Sequence, residues 1–82
     1  MPPLTVADKK HIALQLGQEV KRLRTGKKLS MQQLATIAEI EKTQIFRIEH
    51  GMFDIKLSTL YKLADALDVN VKTLLPDQKK HY

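Results

Sequence analysis

The sequence predicts an all-α domain of five helices, and two observations carry that expectation. Apolar residues recur every three or four positions in successive segments, and no segment alternates with the period of two that a half-buried strand needs. The chain of 82 residues is long enough for one compact domain and too short for two. Its 43% apolar and 28% charged residues match a folded globular chain rather than a disordered one. There is no cysteine, so neither a disulfide framework nor a thiolate site is available, and helix packing must supply the stability.

The first helix is expected from Val6 to about Thr25, with Ile12, Leu16, Val20 and Leu23 on one stripe. Thr5 and Asp8 form a capping pair at its start, and the Thr25-Gly26 step stops it. Ser30 followed by Gln33 has capping-box spacing, which starts the second helix at Met31; Leu34, Ala35, Ile37 and Ala38 are its apolar face, and it ends near Ala38 or Glu39. The third helix covers Glu41 to His50, apolar at Ile45 and Ile48 and polar at Lys42, Thr43, Gln44 and Arg47. Gly51 supplies the left-handed residue that closes it, and Met52 to Lys56 connect onward. Leu57, Leu60, Tyr61, Ala64 and Leu67 repeat as the apolar face of the fourth helix, after which Asp68 turns the chain. Asn70 caps a short fifth helix over Val71 to Leu75, and Pro76 stops it. The organisation expected is an extension over residues 1–15 that lengthens the first helix, a core over 16–76 and a polar tail over 77–82.

Composition and motif spacing narrow the function. Fourteen lysines and arginines against nine acids give a formal charge of +5, which favours polyanionic partners. His11, His50 and His81 share no ligand spacing, so no metal is expected, and no cofactor either. No Ser/His/Asp set, paired carboxylates or phosphate-cradling glycine loop points to an enzyme, because the three glycines are isolated. The N-terminal residues lack the pattern of a signal peptide, and no apolar run approaches the roughly 20 residues that span a bilayer, so a cytoplasmic protein without membrane contact is expected. Two short helices joined by about three residues, the second apolar behind and polar in front, suit insertion into a DNA major groove about 12 Å wide. Lysine and arginine match the two acceptors of guanine, glutamine can pair with adenine, and threonine offers a methyl or a hydroxyl. Lys42, Thr43, Gln44 and Arg47 are therefore the candidate base contacts.

From Leu16 to Pro76 the residues resemble the phage-repressor-like helix-turn-helix regulators of bacteria, the Xre family. The resemblance rests on Leu16-Gly17-x-x-Val20-x-x-Leu23-Arg24 and Leu29-Ser30-x-x-x-Leu34-Ala35, then on Ile40-x-x-x-x-Ile45-x-Arg47-Ile48-Glu49-x-Gly51. It continues through Leu57-x-Thr59-Leu60-x-x-Leu63-Ala64-x-Ala66-Leu67-x-Val69. It implies a five-helix repressor-like domain, with an extended first helix in this chain. The third helix would read bases, the amide-rich start of the second would grip phosphate, and Arg24 and Glu49 would pair beneath the DNA surface. The alternative reading of Arg24, on the residues alone, is an ordinary phosphate-contacting or solvated side chain. Ser30, Gln32, Lys27, Lys28, His50 and Lys56 are the candidate phosphate contacts.

Three residues depart from the family pattern: Met31 replaces a frequent glutamine, Glu39 a turn glycine, and Glu41 a serine or threonine cap. Glu41 either accepts from a cytosine amino group or points aside and complements the helix dipole. Phe46 either packs against the fourth helix or a dimer partner, or stacks on a base. Residues 1–15 are either a solvated extension or a contact for a second copy or another protein through Ile12 with Leu14 or Leu4. The function implied is a sequence-specific transcriptional regulator, repressing by occlusion of double-stranded DNA as a homodimer. The alternatives are an antitoxin paired with a toxin partner, and a helical interaction module that has lost DNA binding.

Overall fold

The computed structural model describes residues 6–52 and 54–76, with the side chains of residues 6 and 7 also outside the description. The expected Thr5 cap, the Leu4 contact and the polar tail fall outside these residues. Five helices follow one another, α1 (Val6–Gly26), α2 (Met31–Ala38), α3 (Lys42–Glu49), α4 (Leu57–Ala66) and α5 (Val71–Leu74), and no strand occurs among the described residues. Their bounds differ from the expected ones by a residue at some ends. Glu41 and His50 flank α3 as caps, Leu67 caps α4, and Leu75 leaves α5 in extended conformation.

Local chemistry explains the starts of the helices. Ser30 Oγ accepts from the Gln33 N–H at 3.0 Å while Gln33 Oε1 accepts from the Ser30 N–H at 2.7 Å, so the second helix begins with a reciprocal capping box. Asn70 Oδ1 accepts from the Lys72 N–H at 2.9 Å and starts α5.

The ends of α1 to α4 share one device. In each, a left-handed residue donates its N–H three residues back and the next residue donates five back, the double bond of a Schellman motif. The left-handed residues are Lys28, Glu39, Gly51 and Asp68, with φ of 59°, 58°, 65° and 56°. The five-back bonds run from Leu29 to Arg24, Ile40 to Ala35, Met52 to Arg47 and Val69 to Ala64, at 2.9–3.0 Å. The first of these corrects the expected stop at Thr25-Gly26: α1 runs through Gly26, and Lys28 takes the left-handed conformation.

The core gathers around Val20, Leu34, Ala35, Ile45, Ile48, Leu63, Leu67 and Leu74, all essentially inaccessible. Helix α3 packs on α1 and α2, α4 on α2 and α5, and α5 also touches α1. Four residues expected on apolar faces lie outside this core: Ile12, Ile37, Leu57 and Tyr61 are exposed. Ile12 precedes Leu16, the first buried residue of α1 among the described side chains. In α2, Leu34, Ala35 and Ala38 already fill the narrow stripe that an eight-residue helix turns inward. In α4 the buried face is Thr59, Leu60, Leu63 and Ala64, which leaves Leu57 and Tyr61 beside it.

Gly17 sets how closely α1 lies on α3. A Cβ built there would overlap the carbonyl oxygen of Ile48 and come within 2.9 Å of the Glu49 carbonyl carbon and oxygen. These are backbone atoms, so no side-chain rotation can make room. One helical turn earlier, carbons of the Leu14 side chain cover Gly51, whose own added Cβ would approach them to 2.7–2.8 Å. Gly26, in the same helix as Gly17, has nothing within 4 Å of an added Cβ.

The two α1 glycines therefore behave oppositely. Gly17→Ala is expected to lose about 1–3 kcal/mol or more of unfolding free energy by overpacking, whereas Gly26→Ala is expected to gain up to about 1 kcal/mol from helix propensity. Urea unfolding of both variants measures this, and a Gly17→Ala variant as stable as the wild type contradicts the close approach.

Candidate nucleic-acid interface

The α2–α3 connection is Glu39, Ile40 and Glu41, three residues between two eight-residue helices. So short a link, closed by the left-handed Glu39, turns the chain sharply while Ile40 stays half-buried against the core. At about 100° per residue, α3 then sorts its side chains by direction. Ile45, Ile48 and Glu49 are buried, Gln44 is half-buried, and Lys42, Thr43, Phe46 and Arg47 are exposed.

The buried acid is held by α1. Arg24 Nε donates to Glu49 Oε2 at 2.6 Å, Nη2 donates to Oε1 at 3.0 Å, and Nη1 donates to the Leu29 carbonyl at 2.8 Å. One guanidinium thus joins α1, the turn after it and the last turn of α3. Both residues are over nine-tenths buried, and no buried side-chain nitrogen or oxygen among the described residues lacks a partner. The hydrogen bonds that Arg24 donates to Glu49 raise its pKa above the already high ordinary value, against the opposing effect of burial. Only a planar fork makes the two parallel bonds and the third to Leu29, so lysine would not replace it. The pairing that the family resemblance implied is thus present, and Arg24 is not a solvated or phosphate-facing side chain.

At the start of α3, Gln44 Oε1 accepts from the Glu41 N–H at 3.1 Å. Gln44 thereby stabilises the cap from the third helical position and keeps its amide hydrogens free to donate outward. At the other end, the His50 ring stacks on Phe46 with centroids 4.0 Å apart, and its Nδ1 lies 2.8 Å from the Phe46 carbonyl oxygen. Phe46 therefore meets His50 of its own helix end while remaining 47% exposed.

A shallow open concavity runs between the start of α3, α2 and the start of α4. Gln32, Lys42, Thr43, Gln44 and Lys56 from the expected set line it, joined by Ser58 and Lys62. Glu39 and Glu41 also face it, so three lysines are set against two carboxylates. Arg47 stands exposed further along α3. Ser30 is exposed at the start of α2, and its hydroxyl still has a hydrogen to donate because the oxygen accepts from Gln33. Gln32 is drawn back toward Thr36, with Nε2 3.3 Å from Oγ1. Lys27 and Lys28 lie apart, in the turn after α1, and His50 sits at the opposite end of α3 from Lys42, about 12 Å away for eight residues. Ser58 and Lys62 escaped the sequence reading. Their spacing of four on the polar side of α4 was the available signal, but only the fold brings that side next to α3.

The residues 17–78 match a family model described as a helix-turn-helix domain. The chain belongs to the helix-turn-helix family. Control protein C.BamHI of Bacillus amyloliquefaciens is 35% identical over 66 residues, which cover 79% of this chain and 82% of that protein. The crystal structure of the restriction-modification controller protein C.AhdI from Aeromonas hydrophila superposes with a TM-score of 0.75 at 32% identity, covering 77% of this chain and 96% of that one. The structure of SinR, a master regulator for biofilm formation, in complex with DNA gives 0.69 at 33% identity, covering 72% and 95%. Some relatives are longer, and the chain spans 44% of the immunity repressor of Bacillus phage phi105. Together these place the helix-turn-helix domain among the phage-repressor-like, or Xre-type, regulators.

Removing one member of the buried pair strands the other. Glu49→Ala is expected to lose about 3–5 kcal/mol, whereas replacing both residues by apolar ones, Arg24→Met with Glu49→Leu, recovers most of it. Because the folded Arg24 pKa is raised, its contribution is complete below the unfolded value and lost only as pH rises through the folded one, so it adds no pH dependence between about pH 6 and 9. Urea titrations of the three proteins across that range measure both effects, and a Glu49→Ala loss under about 1 kcal/mol contradicts the clamp.

Proposed function

We propose that this protein regulates transcription by binding duplex DNA as a homodimer, with α3 in the major groove. The observation that carries the reading is the division of α3. Ile45, Ile48 and the clamped Glu49 hold it from behind, and Lys42, Thr43 and Arg47 project from the other side. A helix anchored in this way and free on its polar face fits a groove about 12 Å wide. SinR, whose structure was determined with DNA, supports the reading because its chain aligns over this same arrangement. The family is one of DNA-binding regulators rather than enzymes, and the descriptions of its relatives as repressors and control proteins favour regulation over a purely structural role.

In this reading Lys42 and Arg47 address guanine acceptors, Thr43 a thymine methyl or a phosphate, and Gln44 donates from its amide while its oxygen serves the cap. Lys56, Ser58 and Lys62 face phosphates across the concavity, and Ser30, Gln32, Lys27 and Lys28 approach the strand near the start of α2. His50 belongs to the far end of the surface. Residues 16–76 carry the binding, and the described residues before them lengthen α1 from Val6 onward. Two copies on half-sites about 34 Å apart would block access to a promoter, in the cytoplasm where the DNA lies.

Selection of bound sequences from a random duplex pool at two salt concentrations tests this. The expected outcome is an enriched inverted repeat. Arg47→Ala should then lose about 1–3 kcal/mol on the selected site and relax preference at one base position. Lys62→Ala should weaken all sequences alike and lower the salt slope by about one. Retention without enrichment at either salt concentration contradicts sequence reading by α3.

A further inference from the structure

Glu41 carries a negative charge at the head of α3, beside side chains suited to meeting an anion. It is exposed, caps the helix, and lines the concavity with Lys42 and Thr43. The ion pairs among the described residues are Arg22 with Glu19 and Arg24 with Glu49, so Glu41 is not neutralised by a lysine of the concavity among them. Its backbone is held by Gln44, whose Oε1 accepts from the Glu41 N–H. A carboxylate has two oxygens and about four acceptor positions, so one turned toward the first amides of α3 still offers acceptors outward.

We propose that Glu41 reads a base, selecting cytosine in each half-site by accepting from its N4 amino group. The proposal rests on the reading of α3 given above and adds to it the identity of one base. The N-terminal residues of a recognition helix are the ones that reach base edges, so Lys42 and Thr43 cannot enter the groove without the residue before them. Glu41 then meets either phosphate or a base, and phosphate repels it.

The chemistry of the base edges selects the partner. A carboxylate only accepts hydrogen bonds, and guanine N7 and O6 and thymine O4 are acceptors as well. The donors in the major groove are the amino groups of adenine and cytosine. In adenine the N7 acceptor sits beside the amino group and opposes a carboxylate oxygen, whereas cytosine presents its amino group without an acceptor of its own next to it. The guanine paired with that cytosine places its two acceptors across the same edge, and a lysine suits them. An acceptor followed by a cation, Glu41 then Lys42, therefore matches a C·G pair. Exclusion adds to attraction, because a carboxylate pressed against a base acceptor leaves both groups desolvated and unpaired. Glu39 also faces the concavity, but it belongs to the turn before α3 and lowers affinity for every sequence alike.

A glutamate that only complemented the helix dipole would stabilise α3 and favour no base. The test is selection from a random duplex pool with the wild type, Glu41→Gln and Glu41→Ser, followed by gel-shift titration on the wild-type site and its single-base substitutes. The wild type should require cytosine at one position of each half-site and bind about tenfold more weakly when that base is replaced, within the cost of one mismatched pair. Glu41→Gln keeps the length of the side chain and adds a donor, so the preference there should move to adenine. Glu41→Ser keeps a good helix cap, should melt no lower than the wild type, and should tolerate all four bases at that position. Glu39→Gln should tighten binding to every duplex by the same factor. Base preferences that are identical in the wild type and both Glu41 variants overturn the role of Glu41 and leave the reading of α3 standing. A wild type that selects no DNA sequence overturns the reading of α3 instead, and this proposal with it.

Discussion

The contact of α1 with the last turn of α3 is the constraint on which the rest of the structure depends. A helix of eight residues is too short to be stable by itself and must be held by tertiary packing. Here Gly17 lets the backbone of α1 touch that of α3, and seven residues on, Arg24 locks the carboxylate of Glu49. Both contacts act on the C-terminal turn. The N-terminal turn, with Lys42 and Thr43, is closed by its cap and backed by Ile45, and leaves those two side chains exposed. A polar face is therefore presented in one orientation without having to be paired by the protein itself.

The buried ion pair is better understood as a device for orientation than as a source of stability. Desolvating two charges costs about as much as their attraction returns, and well-packed apolar residues of similar size often do as well. A bidentate fork, however, has one good geometry. With its third bond to the Leu29 carbonyl, Arg24 fixes the rotation of α3 relative to α1 and to the start of α2 at once. Three helix ends closed by Lys28, Glu39 and Asp68 in left-handed conformation each carry a strain of about 1–2 kcal/mol that glycine would avoid. The sharpness of these turns keeps the connections short, and short connections keep α2, α3 and α4 around one concavity.

Much of this was legible in the residues. The box at Ser30 and Gln33, the cap at Asn70 and the glycine at Gly51 each have a local cause, and local causes can be read from neighbours in sequence. Periodicity placed the buried Leu16, Val20, Leu34, Ile45 and Leu60 correctly. It failed at Ile12, Ile37, Leu57 and Tyr61, because periodicity gives the direction of an apolar side chain but not the extent of the surface waiting to receive it. The closing role of Lys28 was hidden because a Schellman motif needs a conformation, not a residue type, and lysine does not announce it. The role of Gly17 was hidden because its neighbour is the backbone of residues about thirty positions away. Likewise the sequence marked the polar side of α3, while Ser58 and Lys62 became part of the same surface only when α4 folded beside it.

The central claim is that α3 addresses the major groove, and methylation interference on the selected duplex tests it most directly. Dimethyl sulfate places methyl groups on guanine N7, in the major groove, and on adenine N3, in the minor groove. The account predicts that guanine N7 methylation within each half-site blocks binding, in two patches about one helical turn apart, while adenine N3 methylation there does not. Interference confined to adenine N3, or binding indifferent to both, would contradict it.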